Sequence, residues 1–448
     1  MNQPTLDFIH LHAADDVRQL ALGSAPAGVD LRAALRQIEG RQLAARKLPS
    51  WAANDGLLFP RRLSLEQCSS EATARYKRQL VAGLLRPEGG AAASFADLTA
   101  GFGVDFAALA PLFAQALYVD RDPDLCELAR HNLPCLGINH AQVLAASAEG
   151  VLDALLDHSS FLEGQASKLE RVTHHSSFLK GQASKLERVI LHSPLSLVML
   201  DPARRDAAGR KVALIEDCTP DVCALQHQLR RHARHLLIKL SPMLDITAAL
   251  RSLRGVTEVH VVAVHGECKE VLLVLDGLTE DGAVHDNLLD PDDVPITCMD
   301  IIPHSSFSSP LVFTRRDEEQ APLLIAPQLE EYVYEPHAAI LKAGAFKTVA
   351  VRYGLRKLAS QSHLYTSAHL CSDFSGRCWH VEAWSTFGKR DLRHLLSDIK
   401  GAELTVRGFP LSADALRRQL RLRQGSDAHL LATTLADGTK VLIRCARL

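Results

Sequence analysis

Near the middle of the chain, two apolar runs, VTEVHVVAV (256–264) and KEVLLVL (269–275), are separated only by HGEC. A helical crossover needs a dozen or more residues, so these runs are expected to be antiparallel neighbours in one sheet. From Ser94 up to them, short apolar runs alternate with amphipathic stretches, the mark of βαβ units. FADLTA (95–100), QALYVD (115–120), AQVLAA (141–146), LSLVMLD (195–201) and HLLIKL (235–240) read as five parallel strands. The expectation is an α/β sheet of five parallel strands closed by an antiparallel hairpin. A dinucleotide-binding fold would normally continue with further βαβ units.

The flanking segments differ. Residues 1–88 read as helical: Asp30 caps LRAALRQIEGRQLAARK, and LSLEQCSSEATARYKRQLVAGLL (63–85) follows, with Ser69 or Ser70 as its cap. The sheet domain spans 89–278. It is interrupted by a doubled phrase in which His158–Val172 returns as His175–Val189 with Glu163 changed to Lys180. The gap between the third and fourth strands is about twice what a helix and two turns need. The repeat (about 157–192) is therefore expected to be a surface insertion without catalytic residues. Residues 276–335 carry 14 acidic against 2 basic side chains, and 341–448 carry 18 basic against 8 acidic. An acidic connector thus precedes a basic module, either docking on each other or leaving the basic face for an anion.

DLTAGFGVD (97–105) is the main chemical signal. Gly101 and Gly103 let backbone N–H groups approach a ligand, but the third glycine of a dinucleotide fingerprint is replaced by Phe106. That leaves a nucleoside without a diphosphate, and adenosylmethionine fits. Asp97, Thr99, Gly101, Gly103 and Asp105 are the expected contacts, with Asp120 and Arg121 at the second strand's end for the ribose and Glu149 after the third for the adenine. Asp105 also reads as a charge favourable at a helix N-terminus.

LDPARRD (200–206) ends the fourth strand and faces the same crevice. Asp201 is placed to orient or deprotonate an acceptor, Pro202 to fix the turn, and Arg204 and Arg205 to bind an anion or tie down the loop. No aromatic residue follows Pro202 to stack a base, and the segment after the fifth strand, KLSPML (239–244), lacks a cysteine nucleophile. Nitrogen is the expected acceptor, oxygen second. Lys239, Glu267 in the hairpin turn and Lys342 are the further substrate candidates. The ten cysteines show no zinc-type spacing, no metal is expected, and scattered thiols suit a reducing cytoplasm. No run approaches a membrane span, and no export segment is recognised at the N-terminus.

These phrases, with QIEGRQLAARKLPSWAANDGLLFP (37–60), EQCSSEATARYK (66–77), VHGECKEVLL (264–273), YEPHAAILKAGAF (334–346), SHLYTS (362–367) and RGFPLSADALRRQL (407–420), resemble bacterial class I methyltransferases with a C-terminal THUMP-like domain. The resemblance covers nearly the whole chain. It implies a Rossmann-like sheet with an antiparallel last strand, a small ferredoxin-like domain (279–330, the acidic connector) and a THUMP-like domain (331–448). It implies adenosylmethionine as cofactor and, by analogy with RNA-docking THUMP domains, a structured RNA such as tRNA or rRNA. It also places Gln67, Ser69, Ser70 and Thr73 near the methionine end of the cofactor; Ser70 and Thr73 are the preferred pair. Tyr332, Tyr334 and Tyr365, with His337, Lys347 and His363 nearby, are either stacking groups for bases or core residues. Two alternatives remain: a cofactor-binding protein without catalysis, and a methyltransferase for a protein or small molecule.

Overall fold

A computed structural model of the chain describes residues 1–85, 93–153, 194–204, 214–279, 282–285, 288–302 and 309–448. The doubled phrase and Arg205 lie outside the described residues. Two compact units are present, residues 1–257 with 272–288, and residues 258–271 with 289–448.

In the first unit the helix Leu31–Lys47 begins where expected, because the Asp30 carboxylate accepts from the N–H of Ala33 at 3.0 Å. Its buried stripe, Ala34, Gln37, Ile38, Gly40 and Ala44, repeats at helical spacing. The second expected helical segment is two helices, Arg62–Gln67 and Glu71–Leu85. The break falls at Cys68–Ser70, where Ser70 Oγ takes the N–H of Thr73 at 3.2 Å and caps the second helix.

Strands β1 (Ser94–Asp97), β2 (Gln115–Asp120), β3 (Ala141–Ala145), β4 (Leu195–Leu200) and β5 (Ala233–Leu240) follow the sequence expectation closely. They run parallel in the order β3-β2-β1-β4-β5. All six residues of β4 are buried, as a central parallel strand covered on both faces requires. Two long strands follow, β6 (Val256–Val264) and β7 (Glu267–Asp276). His265 and Gly266 join them with φ of 52° and 74°, the left-handed pair that a two-residue hairpin needs. Within the first unit, β7 contributes Leu272–Asp276 beside β5.

In the second unit, β7 neighbours β6, β6 pairs in parallel with β8 (Ile296–Ile301), and β8 pairs antiparallel with β9 (Leu311–Phe313). The described residues of the acidic connector therefore include strands and paired charges. Asp290, Asp292 and Asp293 pair with Arg315 and Arg316, and Glu318 caps the helix Phe346–Tyr353 through the N–H groups of Lys347 and Thr348. A seven-stranded sheet follows, made of β10 (Tyr332–Pro336), β11 (Arg356–Lys357), β12 (Tyr365–Ser367), β13 (Gly376–Thr386), β14 (Gly401–Val406), β15 (Arg423–Thr434) and β16 (Lys440–Arg447). Their order is β11-β12-β10-β13-β16-β15-β14. Tyr334 and Tyr365 are wholly buried in it and donate to the carbonyls of His369 and Phe346, so neither is a stacking platform. His337 is buried too, and burial pushes its imidazole down to about 4. No described helix is long and apolar enough to cross a membrane.

Candidate active site

The carboxyl ends of β1, β2, β4 and β5 carry the residues that the sequence singled out. After β1 the chain turns through Gly101 and Gly103, with φ of 57° and 85°, into the helix Val104–Leu109. Both positions disfavour any side chain. A Cβ on Gly103 would also press on the Tyr118 ring at 3.3 Å. The Asp120 carboxylate grips this loop: one oxygen accepts the N–H of Gly101 at 2.8 Å, the other that of Asp122 at 2.8 Å. Tyr118 Oη donates to the Gly101 carbonyl. Each Asp120 oxygen keeps a lone pair for a ribose hydroxyl. Above Gly101 a Cβ would meet nothing nearer than the Thr99 carbonyl at 3.9 Å, so the loop offers bare backbone to a nucleoside. The residues present therefore fit the expected cofactor.

Asp97 is buried (2% exposed) and accepts the N–H of Thr99 at 3.0 Å. Burial pushes its carboxyl well above the usual range, and the nearby Asp105 and Asp201 add to that. Thr99 Oγ1 in turn accepts the N–H of Asp201 at 2.6 Å, which ties the β4 loop to the glycine loop. A bridge between Ala203 and Thr219 (N···O 2.8 and 3.0 Å) secures the other side of that loop, and Pro202 is buried beneath it.

Behind Asp201 lies a line of alternating charge. Lys239 Nζ is 2.5 Å from Asp201 Oδ2 and 3.3 Å from Asp105 Oδ2; Lys77 Nζ is 3.1 Å from Asp105 Oδ1. Ser69 Oγ donates to Asp105 at 2.6 Å and accepts from both lysines, at 3.1 and 3.2 Å. Burial alone would raise the Asp105 carboxyl, yet Lys77, Lys239 and the Ser69 hydroxyl together hold it below the usual range. Lys239 is thus engaged inside the protein rather than extended toward a substrate. Lys77 escaped the sequence reading. Its signal is a lysine on the stripe Thr73, Ala74, Lys77, Val81, where burial at helical spacing called for an apolar residue.

Of the other expected residues, Ser70 and Thr73 bond to each other and cap their helix, while Ser69 turns inward. Arg121 is exposed, Arg204 is half-buried, and Glu149 is half-buried in the helical stretch 148–153 that Ser147 caps. Glu267 and Lys342 belong to the second unit; Glu267 pairs with Lys269 at 2.7 Å.

Comparison with known proteins follows this geometry. Residues 332–374 match a ferredoxin-like domain model and 376–447 a THUMP domain-like model. The ferredoxin-like match thus lies downstream of 279–330 and covers β10–β12. Two Mycobacterium tuberculosis proteins, from strains CDC 1551 and H37Rv, are each 26% identical over 410 residues, covering 89% of this chain and 91% of theirs. Each is named an uncharacterized S-adenosylmethionine-dependent methyltransferase. The crystal structure of a candidate methyltransferase from Porphyromonas gingivalis W83 is 33% identical with a TM-score of 0.78, covering 99% of this chain and 97% of that one. Likeness at this identity along nearly the whole length of both chains, around a glycine loop held by an acidic β2 end, places the chain in the family of class I S-adenosylmethionine-dependent methyltransferases that carry ferredoxin-like and THUMP-like domains.

Proposed function

We propose that the chain methylates a nitrogen of a structured RNA, with Asp201 as the carboxylate on the acceptor side. The observation that carries this reading is the state of Asp201. Its backbone is pinned to Thr99, one oxygen is pinned to Lys239, and its side chain remains 38% exposed at the end of β4. When bound, the cofactor supplies an electrophilic methyl on its sulfonium. Asp201 accepts a hydrogen bond from the acceptor N–H and aims the nitrogen lone pair at the methyl carbon. Asp201 would then take the proton that the methylated nitrogen sheds and pass it on to solvent.

Covalent attack through cysteine has no support near this site. Burial raises the nearby Cys68 thiol, the reverse of what a nucleophile needs. Support for RNA comes from the THUMP-like segment. Its helices Lys389–Leu395 and Ala413–Leu420 pack on one apolar cluster that includes Leu395, Leu416 and Leu430. Lys389, Arg390, Arg393, Arg418, Arg421 and Arg423 on and beside them are exposed, and none has an ion-pair partner among the described residues. Two of the neighbouring carboxylates are taken, since Asp414 holds Arg417 and Asp398 holds Arg444, which leaves Asp391 as the one acidic side chain on the helix Lys389–Leu395. Such uncompensated charge suits a phosphate backbone.

The test is transfer of labelled methyl from adenosylmethionine to total RNA and to protein extract from a strain lacking the gene. Label is expected in RNA, and Asp201→Ala is expected to lower the rate about 100-fold with cofactor affinity retained. Equal labelling by Asp201→Ala, or label confined to protein, would overturn the reading.

A further inference from the structure

The helices that precede the sheet are tied into the site by Ser69. A serine hydroxyl offers one proton and two lone pairs, and all three are used: the proton on Asp105, the lone pairs on Lys77 and Lys239. Lys77 is 0% exposed and Ser69 and Asp105 are each 7% exposed, so solvent does not compete for these bonds. Each member comes from a different part of the fold. Ser69 sits in the break between two helices and Lys77 two turns into the second. Asp105 lies in the first turn of the helix after the glycine loop, and Lys239 is next to last in β5. The line ends at the half-exposed Asp201, where Lys239 holds Oδ2. Burying two lysines and an aspartate costs stability relative to an apolar filling.

We propose that Ser69 and Lys77 are positioning residues of the methyl-transfer site, fixing Lys239, and through it the Asp201 carboxylate, in line with the acceptor. The segment 66–77 is then part of the catalytic apparatus rather than a separate helical domain. The inference rests on the assignment of Asp201 to the acceptor side, but not on the acceptor being RNA.

The experiment uses the full-length protein, labelled adenosylmethionine, and whichever of total RNA or protein extract takes the label from wild type. Ser69→Ala is expected to lower kcat about tenfold or more, as a displaced catalytic group does, with the KM for adenosylmethionine and the melting temperature little changed. Ser69→Thr, which restores the hydroxyl, should recover the rate. Lys239→Met should lower kcat further, and the double variant Ser69→Ala/Lys239→Met should be no slower than Lys239→Met alone, because both act by one route. Where Lys77→Met fails to fold, Ser69→Ala decides. Wild-type kcat in Ser69→Ala, or additive losses in the double variant, would overturn the inference while the loss of rate in Asp201→Ala left the functional reading standing. Full activity of Asp201→Ala, or no transfer by wild type to either acceptor, would overturn the functional reading and this inference with it.

Discussion

Two aspartates of the site have opposite jobs, and each makes a prediction. Asp120 is a clamp: its oxygens take the N–H groups of Gly101 and Asp122, both at 2.8 Å. Charged hydrogen bonds of this kind contribute about 1.5–3 kcal/mol each. Asp120→Ala should therefore weaken adenosylmethionine binding by about ten- to a hundredfold in calorimetry, and unchanged affinity would refute the clamp. Asp97 is a buried acid whose pKa lies above its unfolded value. Its protonated form is favoured in the fold, so its contribution to stability is complete below the ordinary carboxylate range and is lost as pH rises through the elevated value. Asp97→Asn keeps the acceptor for Thr99 N–H and removes the titration. Its urea midpoint should gain on wild type as the pH is raised from the ordinary carboxylate range upward; a constant difference would show that Asp97 does not titrate in the fold. Asp97, Asp120 and Asp201 were legible in the sequence because strand ends next to glycine or proline advertise a crevice. Lys77 was not, because a lysine on an amphipathic helix reads as solvent-facing until the partner of its charge, 28 residues on, is brought beside it.

At the scale of elements, local signals gave accurate bounds. Asp30 capping the helix Leu31–Lys47 and the apolar runs of β2 and β6 need only neighbouring residues to be read. The connector between β7 and β10 was opaque for the opposite reason. Its strand β8 is defined by pairing with β6, more than 30 residues away, and its acidic side chains find partners in Arg315 and Arg316 downstream. The buried Tyr334 and Tyr365 illustrate the same limit, since the sequence leaves an aromatic residue in a basic module open between stacking group and core until the sheet closes over it. Gly40 gives a test of packing against propensity. Glycine inside a helix normally costs about 1 kcal/mol relative to alanine, so Gly40→Ala ought to stabilise. A Cβ there would lie 2.4 Å from Phe59 Cβ, and Phe59 is wholly buried. Overpacking of this kind costs about 1–3 kcal/mol, so Gly40→Ala should lower the unfolding midpoint. A raised midpoint would show that the contact between this helix and Phe59 yields freely.

For the molecule as a whole, charge is neutral in sum and uneven in place: net −2 over 448 residues, yet 18 basic against 8 acidic from residue 341 onward. Sequence counting could show the imbalance but not its consequence, because it cannot tell which acids are already spent. The structure supplies that: Asp398 and Asp414 are held by Arg444 and Arg417, while Lys389, Arg390, Arg393, Arg418, Arg421 and Arg423, on and beside the helices Lys389–Leu395 and Ala413–Leu420, have no ion-pair partner among the described residues. If these cations meet phosphates, each contact releases counterions, and the logarithm of the binding constant falls with the logarithm of salt by about 0.7–0.9 per contact. The triple variant Arg393→Glu, Arg418→Glu and Arg421→Glu should then bind total RNA at least about tenfold more weakly at low salt, with a slope shallower by about two to three units. Its adenosylmethionine affinity should match wild type, because none of the three residues belongs to the unit that holds the glycine loop. Filter binding across a salt series, with calorimetry on the same preparations, separates the outcomes. A parallel salt plot for the variant would remove this face from RNA contact, whereas loss of cofactor affinity would mean that the substitutions had disturbed the fold rather than the surface.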